Sequence, residues 1–359
     1  MKSISRREML LSLPAFSIAS KAIAQSSKRQ LPVKTLSHVT LSVSDPKRSI
    51  EFYQGLFGLP IQAYQGATDA APPSLRIGPG PQFLFVSAIR GNGMPGIDHF
   101  CMTTAGFDVD RVTSILAEHG VSKAEGASGG MTGGPMKMRI RIRDERTGGS
   151  KDGTPEMYIG DPDGIAVQLQ DTSYCGGSGR MGEVCLAKPA PAPGKGLIAL
   201  QDLSHVTLFV SDAQRSRDFY QDLFAMPVQA HQGPATPLLG IGSNRQFLTI
   251  VGAGPGSSIA RAGAPPRPAS INHACFTMEN FDPDKVLKTL ADFGVKPRGD
   301  ARGPAGPLVS YVTMRTEERG GAKGGTPELY FTDPDGILMQ IQDVKYCGGS
   351  GALGEVCSG

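Results

Sequence analysis

Residues 153–185 return, with few changes, as residues 325–357. The first copy reads Gly153-Thr-Pro-Glu-Met-Tyr158, Asp161-Pro-Asp-Gly164, Gln168, Tyr174-Cys-Gly-Gly-Ser-Gly179 and Gly182-Glu-Val-Cys185. The second, 172 positions on, reads Gly325-Thr-Pro-Glu-Leu-Tyr330, Asp333-Pro-Asp-Gly336, Gln340, Tyr346-Cys-Gly-Gly-Ser-Gly351 and Gly354-Glu-Val-Cys357. A repeat of that length is a duplicated domain, not a solenoid. In each copy two strand-like runs flank an Asp-Pro-Asp-Gly turn, which predicts a hairpin. Comparing the copies shows which polar residues both halves kept.

The rest of each half follows one order. Leu36–Val43 alternates, with His38, Thr40 and Ser42 on one face and Val39, Leu41 and Val43 on the other. Asp45 caps a helix over Ser49–Phe57 that Gly58 stops, and three short strands follow near 61–64, 75–77 and 82–86. The order recurs as a strand at Ile97–Thr103, a helix over Asp108–His119, and strands at 138–143, 156–159 and 165–170. Residues 188–196, rich in Pro, Ala and Gly, read as a linker, and the second half then repeats the pattern. Hairpins outnumber crossovers, so the class is α+β and not a doubly wound sheet. The expected division is a leader over 1–25, domains over 33–186 and 201–359, and a linker over 187–200.

Ser5-Arg-Arg-Glu-Met-Leu10, an apolar run to Ile23 and the small-x-small Ala22-Ile-Ala24 predict an export signal, with Arg6 and Arg7 resembling a twin-arginine type. Pro14, Ser17 and Ser20 interrupt the run too often for a permanent anchor. The expected location is periplasmic or secreted, with no membrane association after signal removal. Export permits disulfides. Cys175 with Cys185, and Cys347 with Cys357, are spaced to close two small loops; nine intervening residues is not a usual zinc-knuckle spacing. A net charge of +3 with scattered basic residues argues against a nucleic-acid partner.

The opposite faces of these strands differ in kind. One is apolar; the other carries His38, Thr40, His99, Cys101, Gln168 and Gln170, a set that suits a lined cavity better than a solvent face. The opening Ser-His-Val-Thr strand, the Phe-Tyr-Gln-x-Leu-Phe helix, the strand with His99 or His273 and the Tyr-x-x-Asp-Pro-Asp-Gly-Ile hairpin, in that order and twice over, resemble the vicinal oxygen chelate superfamily. That group includes glyoxalase I, extradiol dioxygenases and bleomycin-resistance proteins. The resemblance implies paired βαβββ modules in each half, curled into an open barrel around a divalent metal.

Carried over position by position, the resemblance implies metal ligands at His38, His99 and Gln168, and at His205, His273 and Gln340. Fe(II), Mn(II), Zn(II) or Ni(II) is the expected cofactor. Dioxygenase-type members have a carboxylate where Gln168 and Gln340 stand, completing the two-histidine, one-carboxylate set suited to Fe(II). Glu156 and Glu328 alternate with Tyr158 and Tyr330 and are candidates to replace the missing charge, as are the thiols of Cys101 and Cys275. A buried, inert thiol is the expected role for those two cysteines. Tyr158 and Tyr330 match an active-site tyrosine of dioxygenase-type relatives, and Tyr158, Tyr330, Glu156 and Glu328 are the catalytic candidates. The base histidine expected upstream is missing, since Arg143 to Gly153 offers none. His119 and His231 have no counterparts across the repeat and are expected on the surface. The implied partner is a small molecule with vicinal oxygens, and a homodimer is compatible with the pattern. The contrasting expectation is a metal-free binding protein without catalysis.

Overall fold

The structure, a computed structural model, describes residues 28–66, 68–233, 236–243, 245–253, 267–299 and 305–357. The leader expected over 1–25 lies outside the described residues. The first half contains β1 (Val33–Val43), α1 (Pro46–Phe57), β2 (Ile61–Tyr64), β3 (Pro73–Arg76), β4 (Phe83–Ala88), β5 (Gly96–Thr104), α2 (Val109–Glu118), β6 (Ser122–Lys123), β7 (Lys137–Arg143), β8 (Thr154–Gly160) and β9 (Ala166–Asp171). The second half repeats it: β10 (Asp202–Val210), α3 (Ala213–Phe224), β11 (Val228–His231), β12 (Pro237–Gly240), β13 (Phe247–Gly252), β14 (Ser270–Met278), α4 (Pro283–Phe293), β15 (Lys296–Pro297), β16 (Val309–Arg315), β17 (Thr326–Thr332) and β18 (Leu338–Asp343).

Each half forms one nine-stranded sheet among the described residues, ordered β2-β3-β4-β1-β5-β9-β8-β7-β6 and β11-β12-β13-β10-β14-β18-β17-β16-β15. The two modules of a half therefore meet where β1 pairs antiparallel with β5, and β10 with β14. Each second module departs from the expected three strands by one short addition. The two-residue strands β6 and β15 pair parallel with β7 and β16 as the chain leaves the helix.

The four α-helices among the described residues each start at an aspartate whose carboxylate accepts a backbone N–H from the first turn: Asp45, Asp108, Asp212 and Asp282. At the end of α1, Gly58 adopts φ 65°, and a side chain there would also strike the Lys195 carbonyl. Alternation on β1 holds from His38 onward: Val39, Leu41 and Val43 enter the core, and His38, Thr40 and Ser42 face a cavity, while a register shift between Leu36 and His38 lets Leu36 enter the core as well.

The halves share one core. On α1, Phe52 meets Phe293 and Phe331, and Phe57 meets Phe276, at ring separations of 5.7, 6.4 and 5.8 Å. The Asp-Pro-Asp-Gly turns clasp this arrangement from both sides. Asp161 accepts the N–H groups of Asp163 and Ile165 within its own turn and the hydroxyl of Tyr220 (3.2 Å) from the other half. Asp333 accepts Tyr53 in return at 3.4 Å. Asp163 then binds Ser211 and Arg215, and Asp335 binds Ser44 and Arg48. Burial pushes the Asp161 and Asp333 carboxyls up to about 6. The segment read as a linker is packed too: Ala190 bridges to Ile61, and Ile198 and Leu200 are buried in the common core.

Candidate metal centre

Three adjacent strands bring the first polar cluster together. Across β1 and β5, His38 lies opposite Cys101 and Thr40 opposite His99; across β5 and β9, Cys101 lies opposite Gln168. Lateral neighbours on one face are in reach of one another. The result is a convergence at the amide oxygen of Gln168, whose Oε1 is 3.1 Å from Nε2 of both His38 and His99. The second half places Gln340 Oε1 3.0 Å from His273 Nε2, with His205 in the same ring arrangement; the two imidazole centroids lie 5.6 Å apart in one half and 5.5 Å in the other.

Packing fixes the rings. His38 stacks on Phe83 at 4.2 Å and His205 on Phe247 at 4.3 Å, with Tyr174 and Tyr346 at 5.8 Å beyond. His99 Nδ1 lies 2.8 Å from the Asp98 carboxylate, whereas His273 Nδ1 lies 2.8 Å from the amide oxygen of Asn272. The hydroxyls of Thr40 and Thr207 sit 3.2 Å from Nε2 of His99 and His273. Burial, and then the neighbouring histidine, hold His38 and His205 well below the usual imidazole range; burial lowers His273 to about 4. These rings are neutral near pH 7.

A neutral His273 whose Nδ1–H donates to Asn272 presents a lone pair at Nε2, and that lone pair faces the Gln340 oxygen at 3.0 Å. In that tautomer the lone pair and the Gln340 oxygen are both acceptors, with the Thr207 hydroxyl 3.2 Å from Nε2 as a donor, and the Nε2 amide nitrogens of Gln340 and Gln168 are buried without partners. This donor set fits a divalent cation: imidazole nitrogens and an amide oxygen about 3 Å apart are spaced as adjacent ligands with bonds of about 2.1 Å. The Nδ1 partners match the outer support that ligating histidines have.

Among the described residues no three His, Cys, Asp or Glu side chains are grouped to hold an ion, so an ion held here would need the amide as its third donor. Cys101 and Cys275 are fully buried, their thiols pushed up by burial and then by the nearby glutamates. Glu156 lines the first cavity, but Arg143 Nε is 3.0 Å from its Oε1, Tyr174 donates to the same oxygen at 3.1 Å, and Tyr158 donates to Oε2 at 3.1 Å. Arg315 and Tyr346 bind Glu328 at 3.1 and 3.2 Å. Each glutamate's charge is thus already matched by a fully buried guanidinium. Burial, then the glutamate charge, keep Tyr158 and Tyr330 protonated.

The loops closed by Cys175–Cys185 and Cys347–Cys357 join this network. Arg143 donates to the carbonyls of Gly148 and Gly177 at 2.7 Å, and Arg315 to those of Gly320 and Gly349 at 2.9 and 2.8 Å. Sequence reasoning did not single out Arg143, Arg315, Asp98 or Asn272. The signal available was the thirteen-residue spacing of Arg to Glu, present in both copies. His119 bonds to the Arg29 carbonyl and His231 is exposed, both away from the cavities. The cavities measure 230 Å³ around His38, His99, Tyr158 and Gln168, and 560 Å³ around His205, His273, Tyr330 and Gln340; a 640 Å³ cavity that includes Tyr311 adjoins the latter at His273 and Tyr330.

A family model for the Glyoxalase/Bleomycin resistance protein/Dioxygenase superfamily matches residues 35–169 and 202–341. The chain belongs to that superfamily. Its two members in tandem are the two nine-stranded sheets. A search of curated proteins found no match. Among solved structures the chain is similar to a halotolerant catechol dioxygenase (15% identity, TM-score 0.54, 89% of this chain and 87% of that one). It is also similar to a Mn(II)-bound glyoxalase from Novosphingobium aromaticivorans (17%, 0.54, 87% and 82%) and to homoprotocatechuate 2,3-dioxygenase from Brevibacterium fuscum bound to 3,4-dihydroxyphenylacetate (15%, 0.52, 88% and 81%). At these identities the likeness concerns the superfamily fold.

Proposed function

We propose that the chain is an exported, divalent-metal-dependent enzyme, glyoxalase- or dioxygenase-like, that acts on a small molecule with vicinal oxygens. His38, His99 and Gln168 would hold one ion, and His205, His273 and Gln340 a second. The observation that carries this reading is the neutral His273 Nε2 facing the Gln340 oxygen at 3.0 Å, a spacing that a shared cation would satisfy. Bound metal supplies Lewis acidity toward two vicinal substrate oxygens. The chain's own residues do the rest. Phe83 and Phe85 offer an apolar wall for a flat ligand. The Tyr158 hydroxyl, held protonated, donates to Glu156 at 3.1 Å and would have to turn from that carboxylate to give its hydrogen to a substrate oxygen; Tyr330, likewise held protonated, lines the second cavity for the same role.

Export is supported by the two disulfides, which suit an oxidising compartment. Among the described residues no helix is long and apolar enough to cross a membrane. Anaerobic incubation with Fe(II), Mn(II), Zn(II) and Ni(II), followed by bound-metal analysis and assays on catechols and on hemithioacetals, tests the reading. Metal retention and turnover in at least one pairing is the expected result. A folded protein that retains none of the four ions would contradict it. That outcome favours a metal-free small-molecule-binding protein, a second reading motivated by the missing carboxylate in the donor set.

A further inference from the structure

We propose that each centre takes up its ion together with an anionic oxygen ligand, and that this coupling is stronger in the second half. The inference rests on the metal reading above and concerns the charge of the donor set. Two neutral imidazoles and one neutral amide leave both charges of a dication uncompensated. In the two-histidine, one-carboxylate arrangement a carboxylate offsets one of them.

No nearby glutamate makes up the difference. Glu156 is matched by Arg143 at 3.0 Å, with Arg141 a further 3.9 Å from its other oxygen, and Glu328 is matched by Arg315 at 3.1 Å. The other charged residues lining the first cavity are Arg90, Arg141 and Asp98. Those lining the second pair of cavities are Arg267, Arg298, Arg319 and Glu318. Counted with Arg143 and Arg315 behind the walls, arginines outnumber carboxylates three to two at the first cavity and four to two across the second pair. A bare dication entering such a cavity meets a positive field and a neutral ligand set, and an uncompensated buried charge is strongly disfavoured.

An ionised vicinal diol, or another bidentate oxyanion, reverses that balance. It supplies the negative charge the ligands lack, and its own affinity rises with the ion in place by the same factor. A neutral diol achieves the same by releasing its proton to solvent on binding. Against the second histidine of each centre the halves differ in one charge. Asp98 puts a carboxylate against His99 Nδ1, while Asn272 gives His273 only an amide oxygen. The first centre has an anion one ring away from the ion; the second has none, and depends more on its ligand.

The test uses Mn(II) and 4-nitrocatechol with the full chain. One variant, H205A/H273A, leaves the first centre; another, H38A/H99A, leaves the second. Free Mn(II) is followed by electron paramagnetic resonance with and without 4-nitrocatechol, corrected for the complex the two form without protein. We expect Mn(II) affinity to rise roughly 10- to 100-fold with the ligand, more at the second centre. Gln340→Glu in the H38A/H99A chain should tighten Mn(II) binding without ligand and remove most of the enhancement. Circular dichroism confirms folding, and the wild-type chain with Gln340→Glu provides the same comparison where a double-alanine chain does not fold. Equal Mn(II) affinity with and without 4-nitrocatechol overturns the coupling and leaves the metal reading standing. No Mn(II) binding by the folded wild-type chain in either condition overturns both.

Discussion

His99 and His273 occupy the same place in two copies of one sheet, yet their Nδ1 atoms meet different partners: a carboxylate in the first half, an amide oxygen in the second. Burial works to raise Asp98, but its hydrogen bond and charge pairing with His99 outweigh this and hold the carboxyl below its usual range. Much else at the two centres was kept: the histidine pair, the Gln oxygen, the threonine at Nε2, the stacked phenylalanine and the Arg–Glu–Tyr network. Duplication preserved the donors and altered the charge behind one of them. Another difference lies on the strand beside the cavities. Arg139, which reaches the carbonyls of Gly126 and Ser128, is replaced by Tyr311, stacked on Tyr330 at 5.3 Å. The halves therefore share a centre and differ in what they present to a ligand.

The largest expected effect tests what they share. Arg143→Ala leaves Glu156 buried without its cation and should cost about 3–5 kcal/mol in urea unfolding. Arg315→Ala should cost no more, because Arg315 already leaves one terminal nitrogen unpartnered. A large cost in one half alone would break the equivalence of the two networks. Next come the loops. Replacing Cys175 and Cys185 by Ser, or Cys347 and Cys357, should each remove about 2–3 kcal/mol, read from thermal melts with and without reductant. Both pairs are 10 residues apart, so unequal losses would show that context matters beyond loop length.

Asp98→Asn makes the first centre resemble the second. Its metal affinity in a chelator competition should fall about tenfold, and Asn272→Asp should raise that of the second centre by a similar factor. No change in either would remove the main distinction between the halves. The smallest effect concerns the interlocking turns. Asp161 and Asp333 have folded-state values near 6, above the ordinary carboxyl value of 3.8. Between those values the folded chain holds more protons than the unfolded one, so their contribution to stability is present at low pH and lost as pH rises through about 6. Asn at either position keeps the turn's acceptor oxygen. Asp161→Asn and Asp333→Asn should therefore raise the melting temperature relative to wild type more at pH 7.5 than at pH 5, and equally in both halves.

Much of this architecture is written locally. Alternation at Leu36–Val43, aspartates before helices and Gly58 after one, and the Asp-Pro-Asp-Gly hairpins act over a few residues, so strands, helices and cavity face are legible in the chain. The histidine–glutamine clusters are legible because neighbouring strands carry matched registers. What is not legible depends on distant partners. Nothing near Arg143 indicates that its guanidinium will be fully buried against Glu156 and the carbonyls of a disulfide loop. Asp161 reads as a turn residue, and only the packed halves bring Tyr220 to it. Residues 187–200 read as a spacer by composition, yet Ile198 and Leu200 have a core to enter once α1 is in place.

The central claim, one two-histidine, one-glutamine centre in each half, is tested most directly by counting ions. Metal content by mass spectrometry should be close to two per wild-type chain after reconstitution. It should fall to one in H38A/H99A and in H205A/H273A, and to none in the fourfold variant. Two ions retained in a double variant, or none in the folded wild-type chain, would contradict it.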